Sequence, residues 1–247
     1  MTIQADRPPV LTGDESIAAI RAETDTILLA FSCGKDSIAA WLRLRQAFPN
    51  VIPFYMWLVP GLEFVERDLA YFEEFFETPI IRYPNPAAYN TLRAGTLQAP
   101  ANWAWLNSTP IPGRLTRKFV ETVLKDELGL PQETYVATGT RAADSPVRRM
   151  AIVKHGPISI ARRKFHPIWD WNKERLMSTI HRSGVRLPVD YLLWGRSFDG
   201  LDRRFVTVLK RVYPDDYARI KAFYPLIDAE DYRAEFARRH DTKERPA

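Results

Sequence analysis

Thiols are almost missing from this chain: Cys33 is the single cysteine in 247 residues. One thiol excludes an intramolecular disulfide, a four-cysteine zinc site and a chain-contained four-cysteine iron–sulfur cluster. The four histidines, His155, His166, His181 and His240, show no metal-ligand spacing. Long apolar runs are missing too, since no stretch approaches the ~18 residues of a membrane span. The opening MTIQADRPPV lacks the basic-then-apolar pattern of a signal peptide. A cytoplasmic protein with no membrane partner is expected. Charge of one sign is scarce: 35 Lys and Arg face 30 Asp and Glu, a net +5. That excess is too small and too mixed to mean nucleic acid by itself, and it suits anionic ligands such as nucleotides. With 46% hydrophobic and 26% charged residues the chain is not disordered. Its length suits one ordinary domain with a small appended segment, long enough for a core without staples.

What is present is an alternation. Residues 1–13 read as a loose lead-in with Pro8 and Pro9, followed by a short helical run to about Glu23. Ile27 to Phe31 is a continuous apolar run, the pattern of a strand buried on both faces. A turn, Ser32 to Ser37, leads into a helix with Ile38, Trp41 and Leu42 on one face. Val51 to Leu58 reads as a second strand, Glu63 to Phe76 as a helix and Pro79 to Tyr83 as a third strand. Strand–helix–strand–helix–strand implies right-handed crossovers and a parallel sheet. Residues 84–113, rich in Pro, Asn and Trp, read as a long irregular connection of the kind that forms lids. A helix from Leu115 to Leu128 and a strand from Thr134 to Thr138 follow. Lys173 to His181 reads as a helix, and Leu201 to Arg239 as charged helix broken at Pro214. The last residues, Asp241 to Ala247, read as frayed.

The turn at 32–37 has the chemistry of an anion site. Its amides and the start of the following helix favour negative charge. Cys33 and Gly34 are small enough for close approach to the main chain, Lys35 adds a full charge, and Ser32 and Ser37 add hydroxyls. The same residues also fit an ordinary strand–helix corner capped by Asp36 or Ser37. A Walker A loop is excluded, because Lys35 is followed by Asp36 and no glycine stands five residues before Gly34.

At this point the chain resembles a family. Phe31 to Ser37, FSCGKDS, is similar to the PP-loop (SGGxDS) of the ATP pyrophosphatases, the adenine nucleotide α-hydrolase-like proteins. The specific resemblance is to their phosphoadenosine phosphosulfate reductase-like branch. Val59 to Phe64 resembles that branch's DTGxxF segment, Gly139 to Arg148 its GxRxxxSxxR segment, and His166 to Trp171 its PIxxW segment. The four stand in the family's order and the resemblance covers about residues 26–200. It departs at Val59, where the family has Asp. It departs again at the reductases' nucleophilic cysteine near the C-terminus, since neither the loop around Gly195–Gly200 nor the tail Thr242–Ala247 has a cysteine. Sulfonucleotide reduction by such a cysteine of this chain is therefore excluded.

The resemblance implies an α/β fold: a doubly wound, mainly parallel sheet of about five strands with helices on both faces. It implies a nucleotide-binding domain over residues 1–200 and a helical C-terminal extension over 201–247. ATP would place its β- and γ-phosphates on Ser32, Cys33, Gly34 and Ser37, with adenine near Phe31 and Trp57. Gly61, Lys118, Gly139 and Arg148 would complete the binding set. Lys35, Asp36 and Arg141 would carry catalysis, with Asp36 the candidate carboxylate for Mg2+. The implied reaction is attack on the α-phosphorus, adenylylating an acceptor that the sequence does not name and releasing pyrophosphate. Two alternatives stand beside it: a sulfonucleotide-handling enzyme that borrows an external thiol, and a non-catalytic nucleotide-binding module of a nucleic-acid-modifying assembly. Elsewhere, Arg162, Arg163 and Lys164 read as a solvated turn, and Trp103 and Trp105 as loop anchors or as rings that stack on a base. The sequence does not give the oligomeric state.

Overall fold

The computed structural model of the protein describes residues 10–108, 113–229, 231–233 and 235–236. The expected lead-in up to residue 9, the tail from 237 onward and His240 lie outside the described residues. In chain order the elements are α1 (Gly13–Glu23), β1 (Thr26–Ala30), α2 (Lys35–Leu44), β2 (Asn50–Trp57), α3 (Glu63–Phe76) and β3 (Ile81–Pro84). Then come α4 (Pro86–Arg93), α5 (Pro100–Ser108), α6 (Arg117–Glu127), β4 (Val136–Thr138), α7 (Pro146–His155), β5 (Ile158–Ser159) and β6 (Lys164–Phe165). The remainder is helical: α8 (Lys173–Ser183), α9 (Asp190–Trp194), α10 (Arg203–Val212) and α11 (Pro214–Phe223). No helix among the described residues is long and apolar enough to cross a membrane.

One six-stranded sheet runs in the order β3-β2-β1-β4-β6-β5. β1 pairs in parallel with β2 (Leu28 opposite Ile52) and with β4 (Leu29 opposite Ala137). β4 pairs in parallel with β6, and the short β5 returns antiparallel. The fold is therefore α/β with a mainly parallel sheet, as expected, with two-residue strands extending the edge beyond β4. The reason β1 sits in the middle is its composition. Ile27, Leu28 and Leu29 are fully buried, and a strand with apolar residues on both faces is stable only between neighbours and under helices.

The chain divides into two compact units, Met1–Tyr55 with Phe72–Ile81 and Lys125–Leu187, and Met56–Tyr71 with Arg82–Leu124 and Pro188–Ala247. The first has an aromatic core. Trp41 stacks on Phe76 at 3.9 Å between centroids, and Phe31 meets Trp41 and Phe72 edge-on at 5.0 and 5.2 Å. This is the Ile38–Trp41–Leu42 face of α2 going where its spacing predicts. The second unit is built on Phe64, Trp194, Phe198 and Phe205, whose rings meet at 5.2–6.0 Å.

Residues 84–113 differ from the irregular connection expected: α4 and α5 lie there. The prolines that read as breakers are helix starters. Pro86 opens α4 behind Asn85, whose side chain accepts from the Ala87 amide at 2.9 Å, and Pro100 opens α5. A missing N–H does no harm in the first turn, where that group has no helical partner. Pro214 likewise separates α10 from α11 and begins the second. Residues 184–200 contain the short α9, and α7 occupies a stretch to which the sequence reading assigned no element.

The start of α3 is held from a distance. Asp216, 2% exposed, accepts from the amides of Glu63 and Phe64 at 2.6 and 3.1 Å. A carboxylate there satisfies two donors and complements the helix dipole. Asp216→Ala is expected to cost about 2 kcal/mol, because both amides lose their acceptor inside the protein. In a domain of this size that lowers the melting temperature by roughly 4–8 °C. Thermal unfolding checks it, and Asp216→Asn, which keeps one carbonyl acceptor, is expected to lose less.

Candidate functional site

The strand order creates a crevice. From β1 the chain moves outward through β2 to β3, then returns to place β4 on the other flank of β1. Where a parallel sheet reverses direction in this way, the crossovers diverge and leave an opening at the carboxyl ends of the two strands. Two segments end there, 32–37 after β1 and 139–144 after β4.

The first segment is a pinned loop. Ser37 Oγ donates to the Gly34 carbonyl at 2.8 Å and accepts from the Ser32 amide at 3.2 Å. The two serine hydroxyls lie 3.2 Å apart. Cys33 takes a left-handed conformation, φ 56°, and its side chain is buried. Gly34 is the N-cap of α2 and brings no side-chain cap to the helix start. A helix start carries amides with no helical acceptor and a partial positive charge, so the loop is built toward an anion.

Gly139 holds the second segment against the first. A Cβ at this position would lie 2.7 Å from the Asp36 carbonyl carbon and from the Ser37 nitrogen. Both are main-chain atoms that cannot swing aside, so only glycine lets β4 end against the first turn of α2. Gly139 therefore acts by close packing.

Arg141 follows, and its guanidinium is 4% exposed. Its Nε donates to Asp36 Oδ1 at 2.6 Å, Nη2 to Asp144 Oδ1 at 2.7 Å and Nη1 to the Trp171 carbonyl at 3.3 Å. Asp36 Oδ2 accepts from Lys35 Nζ at 3.0 Å, and Asp144 Oδ2 accepts from Arg148 Nη1 at 3.4 Å. Arg141 turns three of its five N–H donors to protein, because a buried guanidinium must be paired. Asp36 accepts from one cation on each oxygen, and each oxygen keeps a second lone pair. Among the described residues no three His, Cys, Asp or Glu side chains gather as a metal site. Arg148, whose side chain is 56% exposed, stays at the surface end of the network.

The other expected residues are placed as follows. Ser32 is exposed and Lys35 half-buried at the loop. The ring of Phe31 is committed to the core and its amide to the Phe54 carbonyl, so it offers no stacking face. Trp57, Gly61 and Lys118 belong to the second unit. There Trp57 is half-buried at the end of β2, Gly61 has φ +67° just before α3, and Lys118 is exposed in the first turn of α6. Val59, standing where the resemblance expects Asp, is buried at 2%. Sequence reasoning missed Asp144, although its spacing of three residues from Arg141 was a visible signal. It also missed the hydroxyl of Thr138, which lies 2.8 Å from His166 Nδ1 and 3.0 Å from the Thr140 hydroxyl. Burial first, then the charges of Lys164 and Arg148, push His166 down from 6.5 to about 4, so it is neutral at pH 7.

No family model matches the chain, and no curated protein sequence does. Among solved structures the chain is similar to the phosphoadenylyl-sulfate (PAPS) reductase of Candida auris in a phosphate complex. Identity is 13%, with 77% of this chain and 88% of that one covered at a TM-score of 0.45. It is also similar to the NH3-dependent NAD synthetase of Campylobacter jejuni subsp. jejuni NCTC 11168 in complex with nitrate. There identity is 14%, with 90% and 95% covered at a TM-score of 0.42.

Two outcomes are expected from this geometry. Cys33→Gly suits φ 56°, so relief of strain offsets the lost thiol packing and the added unfolded-state freedom. Its stability should stay within about 1 kcal/mol of the parent. Cys33→Val puts a β-branched residue in the left-handed region and should cost at least about 2 kcal/mol. Chemical denaturation of the pair checks this. Second, the folded state holds His166 near 4 while the unfolded chain titrates near 6.5. The stability that the neutral ring contributes is complete above pH 6.5 and lost as pH falls toward 4, by about 3 kcal/mol at most. Replacing His166 with Gln should flatten the stability profile across that window, which melting curves at stepped pH would reveal.

Proposed function

We propose that the β1/β4 crevice binds the phosphates of an adenine nucleotide and that the protein is a PP-loop enzyme of the ATP pyrophosphatase type. In this reading it cleaves ATP between the α- and β-phosphates and transfers the adenylyl group to an acceptor. The observation that carries it is the pinned 32–37 loop at the point where the sheet reverses, backed by Gly139 on the main chain of α2. A loop of small residues, amides and one lysine at that place suits a polyphosphate. The FSCGKDS resemblance supplies the adenine nucleotide.

The chemistry follows from the charges. A nucleophile on the acceptor attacks the α-phosphorus, the bond to the bridging oxygen breaks, and the electron pair leaves with pyrophosphate. Negative charge therefore grows on the departing group, where Lys35 Nζ and the loop amides stand to receive it. A donor of this kind typically contributes ~3–4 kcal/mol to the transition state. Arg141 is a positioning residue: it holds Asp36, and Asp36 holds Lys35. Mg2+ accompanying the nucleotide would neutralise phosphate charge, and Asp36, which already accepts from Lys35 and Arg141, is the carboxylate that would face it.

Lys35→Ala is expected to weaken nucleotide binding or turnover at least roughly tenfold, since it removes the one full positive charge that the loop itself carries. Calorimetric titration with ATP and a pyrophosphate-release assay read the two effects, with a thermal melt to show that the variant folds. Unchanged binding and turnover in a folded variant would falsify the assignment. Preference for phosphoadenosine phosphosulfate over ATP would move the reading to a sulfonucleotide-handling enzyme. Tight ATP binding without turnover across acceptors would move it to a binding module.

A further inference from the structure

The second unit contains a cavity of about 440 Å³ that the nucleotide reading does not use. Its walls come from α4, α5, the segment between them, and the end of α11. They are fixed to one another. Gln98, buried, donates from Nε2 to the Phe223 carbonyl at 2.6 Å and accepts at Oε1 from Asn102 Nδ2 at 3.1 Å. The Leu226 amide donates to the Leu97 carbonyl at 3.0 Å, tying the same two regions again. A space bounded by hydrogen-bonded segments keeps its shape without an occupant.

The lining has a definite chemistry. Tyr89, Trp105 and Phe223 give aromatic surface, and Leu92 and Leu106 give aliphatic surface. Trp105 is 64% exposed. Its neighbour Trp103 is used otherwise, with its indole against Gly95, where a Cβ would lie 3.2 Å from Nε1. One charge lines the cavity, Arg93, and no carboxylate does. Arg93 makes no ion pair among the described residues, unlike Arg82 of the same unit, which pairs with Glu66 at 2.8 Å. Asn102 spends its amide donor on Gln98, which leaves its carbonyl oxygen to accept.

We propose that this cavity binds a planar aromatic small molecule carrying one anionic group. The ring system stacks among Trp105, Tyr89 and Phe223, and the anion pairs with the Arg93 guanidinium. The Asn102 carbonyl accepts from a ligand N–H or O–H where there is one. The volume lies in the range of small-molecule sites. Aromatic walls reward a flat apolar body, and an arginine with no acid partner among the described residues rewards an anion at its edge. The proposal does not rest on the nucleotide reading, since neither Lys35 nor ATP enters it.

Three probes test it on the full chain: 1-naphthoate, 1-naphthyl phosphate and the neutral 1-naphthalenemethanol, by saturation-transfer NMR and calorimetry. The anions are expected to bind with Kd on the order of a millimolar or tighter, and more tightly than the alcohol. Arg93→Gln should weaken both anions at least tenfold and leave the alcohol within about twofold, because it removes charge and keeps bulk. Ala222→Trp, which fills the cavity, should abolish binding of all three, with melting curves to show that both variants fold. Whichever anion binds more tightly identifies the headgroup, and either order supports the site. No binding of naphthoate at millimolar concentration, an alcohol that binds as well as the anions, or anion binding unchanged in the folded Arg93→Gln variant overturns it.

Discussion

The crevice depends on the burial of Arg141. A guanidinium 4% exposed has lost its water, and unless acids replace that water the cost is several kcal/mol. The replacements come from three places in the chain: Asp36 in the first turn of α2, Asp144 just beyond β4, and the Trp171 carbonyl just before α8. Satisfying one charge therefore fixes three segments of the first unit to each other. It also resolves a difficulty in the loop. A carboxylate beside a phosphate site is repulsive when bare, but Asp36 stands between Lys35 and Arg141. The connected group from Lys35 to Arg148 has three cations to two carboxylates, so it keeps a positive balance.

Much of the fold was legible because its signals are local. The apolar run 27–31 reads as a strand buried on both faces, and the alternation up to residue 83 implies a parallel sheet. The exceptions were decided by contacts the sequence does not display. Asn85 and Pro86 look like the end of order, yet together they cap and open α4. Only a partner surface can say whether a proline ends one element or begins the next. β5 and β6 are two residues each, too short for a period to show, and exist through their pairing with each other and with β4. The hold of Asp216 on α3 joins residues more than 150 apart in sequence, far outside any capping pattern.

In the site the residue types were legible and the directions were not. Ser32, Gly34 and Ser37 could be singled out as small residues at a strand end, and Gly139 through the resemblance. Cys33 stands where the SGGxDS pattern has glycine, and its left-handed φ is one that glycine adopts freely. Arg141 and Asp36 were read as groups facing ligand, whereas they face each other. The difference is burial, which composition cannot give at a single position. An exposed arginine would have been free to reach phosphate. A buried one takes the nearest acids, and the nearest were already in the motif.

Two titrating groups shifted by burial, one in each unit, pull stability in opposite directions. His166 in the first unit is held neutral by burial, so acid works against it below 6.5. Asp190 in the second unit is pushed up by burial, with a further push from Asp68, to about 6, despite the Phe198 amide that donates to it at 2.7 Å. Its contribution is complete below the unfolded value of 3.8 and is lost as pH rises through 6. Between about pH 4 and 6 the first group loses stability on acidification while the second gains it. Neither group sits in the anion loop, so the chain can meet a change of pH with partly cancelling costs while the Lys35–Asp36–Arg141 geometry stays as it is. The charge of the loop then depends on its own ion pairs and not on the protonation of His166, which suits the polyanion proposed for it.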